Sequence, residues 1–163
     1  KDEYRGERDL NRRGIVIVFK NKNKYELVLE NRDCFSSQNE DGGFYFPSII
    51  TSIEKGNLLI SYGHGRYGGY WQYNFRHQNT DFQLIGFNSG EVRGPVPVVE
   101  RFVSINLLTK KMYISVNTNR DAEGGDEKFK ETKKKFILNK PIKLSKIMDF
   151  DDLNVEKLNR LAN

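Results

Sequence analysis

Leu58–Phe87 reads LLISYGHGRYGGYWQYNFRHQNTDFQLIGF, and the fold follows from how this stretch alternates. From Tyr70 to Arg76, the apolar rings Trp71, Tyr73 and Phe75 alternate with Tyr70, Gln72, Asn74 and Arg76. That period of two predicts a strand with one face in a core and one face outside it. Gln78-Asn79-Thr80-Asp81 is a turn by composition and returns the chain into a second strand, Phe82–Phe87. Upstream, the strand-like run LLISY leads into a glycine-rich turn that carries His64, Arg66 and Tyr67 and opens onto Tyr70.

The same hairpin rhythm continues on both sides. Gly14–Phe19, GIVIVF, is a continuous apolar β-branched run that predicts a central strand covered on both faces. After the turn NKNK, Tyr25, Leu27 and Leu29 alternate with Glu26 and Glu30 as its half-buried partner. Asn31–Gly43 is a loop by composition, and FYFPSIITSIE resumes strand character, with Pro47 arguing for an edge or a bulge. Lys55-Gly56-Asn57 turns that strand into LLISY.

Downstream, Asn88–Pro97 holds two Gly and two Pro and predicts a loop, with a cross-over between sheets. Phe102–Leu107 and Met112–Val116 form a further hairpin, Asn117–Asp126 is a surface insert, and Phe136–Leu138 and Ile142–Leu144 read as short strands. Asp149–Leu161 alone reads as helical, with Leu153, Leu158 and Leu161 near one face and Asp151 or Asp152 as its cap. Roughly eight to ten short strands joined by turns predict an all-β, mostly antiparallel meander. It closes as a β-sandwich or an open barrel, because a flat sheet would leave one apolar face wet, and it ends in a short C-terminal helix. One β-rich domain over 1–163 is expected, with residues 1–13 as an N-terminal arm and 149–161 as the helical segment.

Composition bounds the chemistry. With 163 residues, of which 37% are hydrophobic and 12% aromatic, the chain can bury a core without covalent staples. The single cysteine, Cys34, allows no intramolecular disulfide and no CxxC zinc spacing, and its polar surroundings mark a structural or incidental thiol. No apolar run is long enough for a membrane-spanning helix, and no signal peptide is present. The chain begins at Lys1 without Met, the start expected of a mature or trimmed chain. The net charge of +5 is uneven: lysines crowd Lys128–Lys146, whereas Asp149, Asp151, Asp152 and Glu156 follow. A solvated edge strand guarded by lysines accounts for the basic run, and phosphate or nucleic-acid binding is the lesser reading.

Catalytic and metal motifs are weak. His64 and His77 have no sequence-local partner, and no GxSxG elbow is present. The acidic loops 39–43 and 121–127 do not match the twelve-residue calcium spacing. Asp9–Gly14 begins like a D-x-N-x-D-G loop but places Arg13 and Lys20 at ligand positions, so no metal is expected. GHGRYGG lacks the Gly-Lys-Ser/Thr ending of a phosphate loop and precedes a strand. Recognition remains. Trp71, Tyr73 and Phe75 belong to the core, leaving His64, Arg66, Tyr67 and Tyr70 in the turn 62–71 as the expected binding residues for a protein, a glycan or an envelope component. No cofactor is expected. The alternative is a hydrolase that pairs His64 with a distant carboxylate.

The phrases NRRGIVIVF, YELVLEN, GGFYF, IEKGNLLISYGHG and YWQYNFRHQNTDFQLIGF together resemble a group of uncharacterised bacterial proteins, many exported or lipid-anchored. In that group a D-x-N-x-D-G-type segment precedes such a β-rich region. The likeness is carried best by Phe75–Phe87. It implies export to the periplasm or cell surface, with a cytoplasmic home still open, and a calcium-type segment upstream. It carries over no activity and no functional residue.

Overall fold

The computed structural model describes residues 11–37, 48–63 and 69–159. The chain is mostly antiparallel β: β1 (Arg13–Asn21), β2 (Lys24–Phe35), β3 (Ser48–Glu54), β4 (Asn57–Gly63), β5 (Tyr70–Gln78), β6 (Asp81–Arg93), β7 (Val98–Asn106), β8 (Lys111–Asn117) and β9 (Phe129–Lys135). Among the described residues, β1 and β2 pair only with each other, and β3 to β9 form a seven-stranded meander in sequence order. The sheet is open rather than a closed barrel, with β3 and β9 at its edges.

Alternation along each strand sends one set of side chains into a single core. Leu58, Ile60 and Tyr62 of β4, Tyr73 and Phe75 of β5, Leu84 and Phe87 of β6, Val103 and Ile105 of β7 and Met112 of β8 share this covered face. Its lid has two parts. The β1–β2 hairpin contributes Ile15, Ile17, Leu29, Cys34 and Phe35, and the C-terminal strap contributes Phe136, Leu144, Ile147, Phe150 and Val155. Phe150 anchors the strap in the core, stacked on Phe35 at 4.8 Å and edge-on to Tyr73 at 4.9 Å.

β7 ends opposite Gly86, which leaves the lower part of β6 without a strand on that side. The strap fills the gap: Leu84 N–H donates to Ile142 O at 2.9 Å, and Gln83 bridges Lys143. Lower down, Asn31 Nδ2 donates to the carbonyls of Leu144 and Ile147 at 2.8 Å each, pinning the strap's first turn to the hairpin.

Several expectations change. GIVIVF is not covered on both faces: Ile15 and Ile17 pack on the core, but Val16 and Val18 are exposed because β1 belongs to a two-stranded layer with nothing described above it. A continuous apolar run does not reveal which face is covered. Asn88–Pro97 makes no cross-over, since β6 runs on to Arg93 and turns at 94–97 directly into β7. Phe136–Leu138 and Ile142–Leu144 are not strands; the strand is FKETKKK, exposed throughout, which is the lysine-guarded edge expected of the basic run. No α-helix spans 149–161 within the described residues. Leu144–Lys146 and Val155–Leu158 form short 3-10 turns, and Asn154, not Asp151 or Asp152, caps the second by accepting from Lys157 N–H at 3.2 Å. Phe150 and Val155 are both buried, a five-residue spacing that a regular helix would put on different faces.

Candidate functional site

The face of the sheet opposite the core carries a different chemistry, ordered by register into rows. The middle row runs Ile50, Ser61, Gln72, Asn88, Ser104, Tyr113 and Lys133 from β3 to β9. The row above it holds Gly63, Tyr70, Gly90, Phe102, Ser115 and Glu131, and the row below holds Leu59, Asn74, Gly86, Asn106, Lys111 and Lys135. Ile50 and Leu59 apart, these positions are polar, glycine or aromatic. Neither the hairpin nor the strap lies on this side.

Within the middle row the side chains bond to one another. Gln72 Nε2 donates to Ser61 Oγ and Asn88 Nδ2 donates to Gln72 Oε1, both at 3.2 Å, so an amide ladder crosses β4, β5 and β6. Beside it, Asn74 Oδ1 is sealed from solvent and accepts no hydrogen bond. Gln72 and Asn88 each keep donor and acceptor capacity that the ladder does not use.

Tyr70 stands exposed at the head of β5, where sequence alternation places it. Its ring lies over Gly90: a Cβ there would sit 2.5 Å from Tyr70 Cε1. Partial burial raises the pKa of its hydroxyl. Gly69, at φ +80°, brings the chain so close to β6 that a Cβ would meet Gly90 O at 2.1 Å. Two glycines therefore fix both the entry of β5 and the platform under Tyr70.

The expected binding residues are thus divided. Tyr70 is on the open face, while His64, Arg66 and Tyr67 lie outside the described residues, as does the His64 of the alternative hydrolase reading. Gly63 and Tyr70, the strand residues that flank them in the chain, are directly paired at the top of this face. Trp71, Tyr73 and Phe75 turn the other way, into or against the core, as their alternation indicates. His77 packs on Phe19 and Phe82, with ring centroids about 5 Å away, so it serves the lower end of the core.

A second polar cluster, invisible in the sequence, closes the upper end of the covered face. Asp151 accepts from Tyr62 Oη through Oδ1 and from Ser36 Oγ at 2.6 Å through Oδ2. Burial, aided by the Asp151 bond, pushes the Tyr62 hydroxyl well above the usual phenol range. Nearby, Arg12 pairs with Asp149 and donates to Asp33 O at 2.8 Å. These bonds tie the hairpin, β4 and the strap together. Cys34 lies buried beneath them; its thiol is pushed up to about 11 by burial, which makes it a packing group and a poor nucleophile.

In the acidic loop 121–127, the carboxylates of Asp126 and Glu127 accept from backbone N–H groups. Asp126 accepts from Glu123 N–H at 3.0 Å, and Glu127 accepts from Gly125 N–H at 2.8 Å and Val99 N–H at 3.3 Å. The loop 39–43 and the first two residues of Asp9–Gly14 fall outside the described residues. Within them, no helix is long and apolar enough to cross a membrane.

Sequence reasoning located Tyr70 but passed over Asn88, Phe102 and Tyr113, whose place on the same face depends on strand order. Ser61 and Gln72 carried a usable signal, lying on the polar phase of their strands. Comparison of the chain with protein-family models, with curated proteins and with solved structures finds no match in any of the three.

Proposed function

We propose that this chain is a non-enzymatic binding module that holds a cell-envelope glycan on the open face of its sheet, with His64, Arg66 and Tyr67 of the adjoining turn adding contacts. The observation that carries this reading is the Ser61–Gln72–Asn88 ladder beside the exposed ring of Tyr70. Outward amides match sugar hydroxyls in both donor and acceptor roles, and a tyrosine ring offers a flat apolar surface for the C–H face of a pyranose. Export forms part of the reading and is supported by the resemblance of the hairpin phrases to exported bacterial proteins.

The test is a glycan array probed with the intact chain, followed by titration of the best ligand against Tyr70→Ala/Gln72→Ala. Affinity should fall by about tenfold or more, equivalent to at least ~1.4 kcal/mol, while the urea midpoint stays close to that of the parent. Binding by the variant at parental affinity, or no glycan bound by the parent, refutes the reading.

A further inference from the structure

At the β8–β9 end of the open face the chemistry changes from neutral to basic. Tyr113 is flanked by Lys111, two residues along its own strand, by Lys133 directly across, and by Lys135 on the diagonal. Phe136 N–H donates to Lys110 O at 2.9 Å, which makes that pair the hydrogen-bonded one. The alternation of an antiparallel ladder then makes Lys111–Lys135 and Tyr113–Lys133 narrow pairs, with Cα atoms about 4.5 Å apart and side chains crowded together.

Like charges placed directly opposite in a sheet repel. Among the described residues, none of the three lysines has a carboxylate in ion-pair range. Lys133 instead rests its ammonium 5.6 Å from the Tyr113 ring centroid, and that ring remains 38% exposed. Glu131, in the row above, is the carboxylate nearest in register, so the corner keeps an excess of positive charge.

We propose that the glycan held on this face bears a uronic acid, its pyranose seated on Tyr113 and its carboxylate among Lys111, Lys133 and Lys135. The inference rests on the glycan reading above and adds the ligand's charge and its orientation. A carboxylate attached directly to a sugar ring lies at the edge of that ring, and the strand register gathers three lysines around Tyr113. The charge distribution disfavours a nucleic acid. A single strand is held by a positively charged groove that tracks its backbone, whereas the central rows of this face are amide, hydroxyl and glycine. Lys143 and Lys146 of the basic run do not extend the patch, because they line a groove of about 320 Å³ on the strap together with Asp149 and Asp152.

Titration calorimetry of the whole chain would compare an oligogalacturonate, its methyl ester, a neutral cello-oligosaccharide and oligothymidylate. The variant is Lys111→Gln/Lys133→Gln/Lys135→Gln, at exposed positions whose neutralisation relieves repulsion, so its urea midpoint should match or exceed that of the parent. The oligogalacturonate should bind at least about tenfold more tightly than its ester, lose about tenfold in the variant, and weaken with added salt. Equal binding of acid and ester, an unaffected variant, or preference for oligothymidylate overturns the proposal. A neutral saccharide that binds well and ignores the lysines removes the uronate inference but keeps the glycan reading; failure of every saccharide removes both.

Discussion

Phe150→Ala tests the premise on which the open face depends, namely that the strap seals the other face. Phe150 is 3% exposed and has three aromatic neighbours, Phe35 at 4.8 Å, Tyr73 at 4.9 Å and Phe75 at 6.4 Å. Truncating a buried Phe costs about 3–5 kcal/mol from lost transfer energy plus the cavity left behind. The surrounding rings come from the hairpin and from β5, so collapse into the space would have to move two separate layers, and a loss of about 4 kcal/mol is expected. With a urea slope of about 2 kcal/mol/M, the midpoint should fall by about 2 M without a change in slope. Met148→Ala is the internal control: the residue sits two positions away on the same strap but is 84% exposed, and its change should stay within about 0.5 kcal/mol. Both are measured by urea titration followed by fluorescence and circular dichroism. If Phe150→Ala shifts the midpoint no more than Met148→Ala, the strap is not the lid, and the division into a covered and an open face fails.

The remaining predictions concern pH and the platform under Tyr70. Cys34 is held at about 11, above the ~8.5 of an unfolded thiol, so the folded chain keeps a proton that the unfolded chain releases. Stability should therefore fall as pH rises from about 8.5 toward 11, by at most ~1.4 kcal/mol per pH unit from this group. Tyr62 and Tyr73, both pushed up chiefly by burial, continue the fall above about pH 10. Cys34→Ala should flatten the first part of the profile, and a parent profile that is already flat would remove this account. Gly90→Ala places a methyl group 2.5 Å from the Tyr70 ring, which is exposed and free to swing, so it should change stability by less than about 1 kcal/mol yet displace the ring and weaken glycan binding. Gly69→Ala meets a backbone oxygen at 2.1 Å with φ at +80°, so it should destabilise by more than about 1 kcal/mol in thermal unfolding.

The sequence by itself determined the all-β class, most of the hairpins and the faces of β5. Trp71, Tyr73 and Phe75 are separated from Tyr70, Gln72 and Asn74 by a period of two that any strand must obey. It also marked the lysine run as an edge, since charge on an unpaired strand needs no partner to be legible. The tertiary structure alone decided which faces are covered. Val16 and Val18 read like Ile15 and Ile17 until the hairpin is seen lying on the sheet by one side only. Asp151 read as a helix cap until Tyr62 and Ser36, far away in the chain, were seen to converge on it. Tyr113 acquired Lys133 and Lys135 in the same way, because β8 and β9 meet in a register set across a long loop. Periodicity is a property of neighbouring residues and is written along the chain. Register and burial arise from contacts between distant segments, and they exist only once those segments have packed.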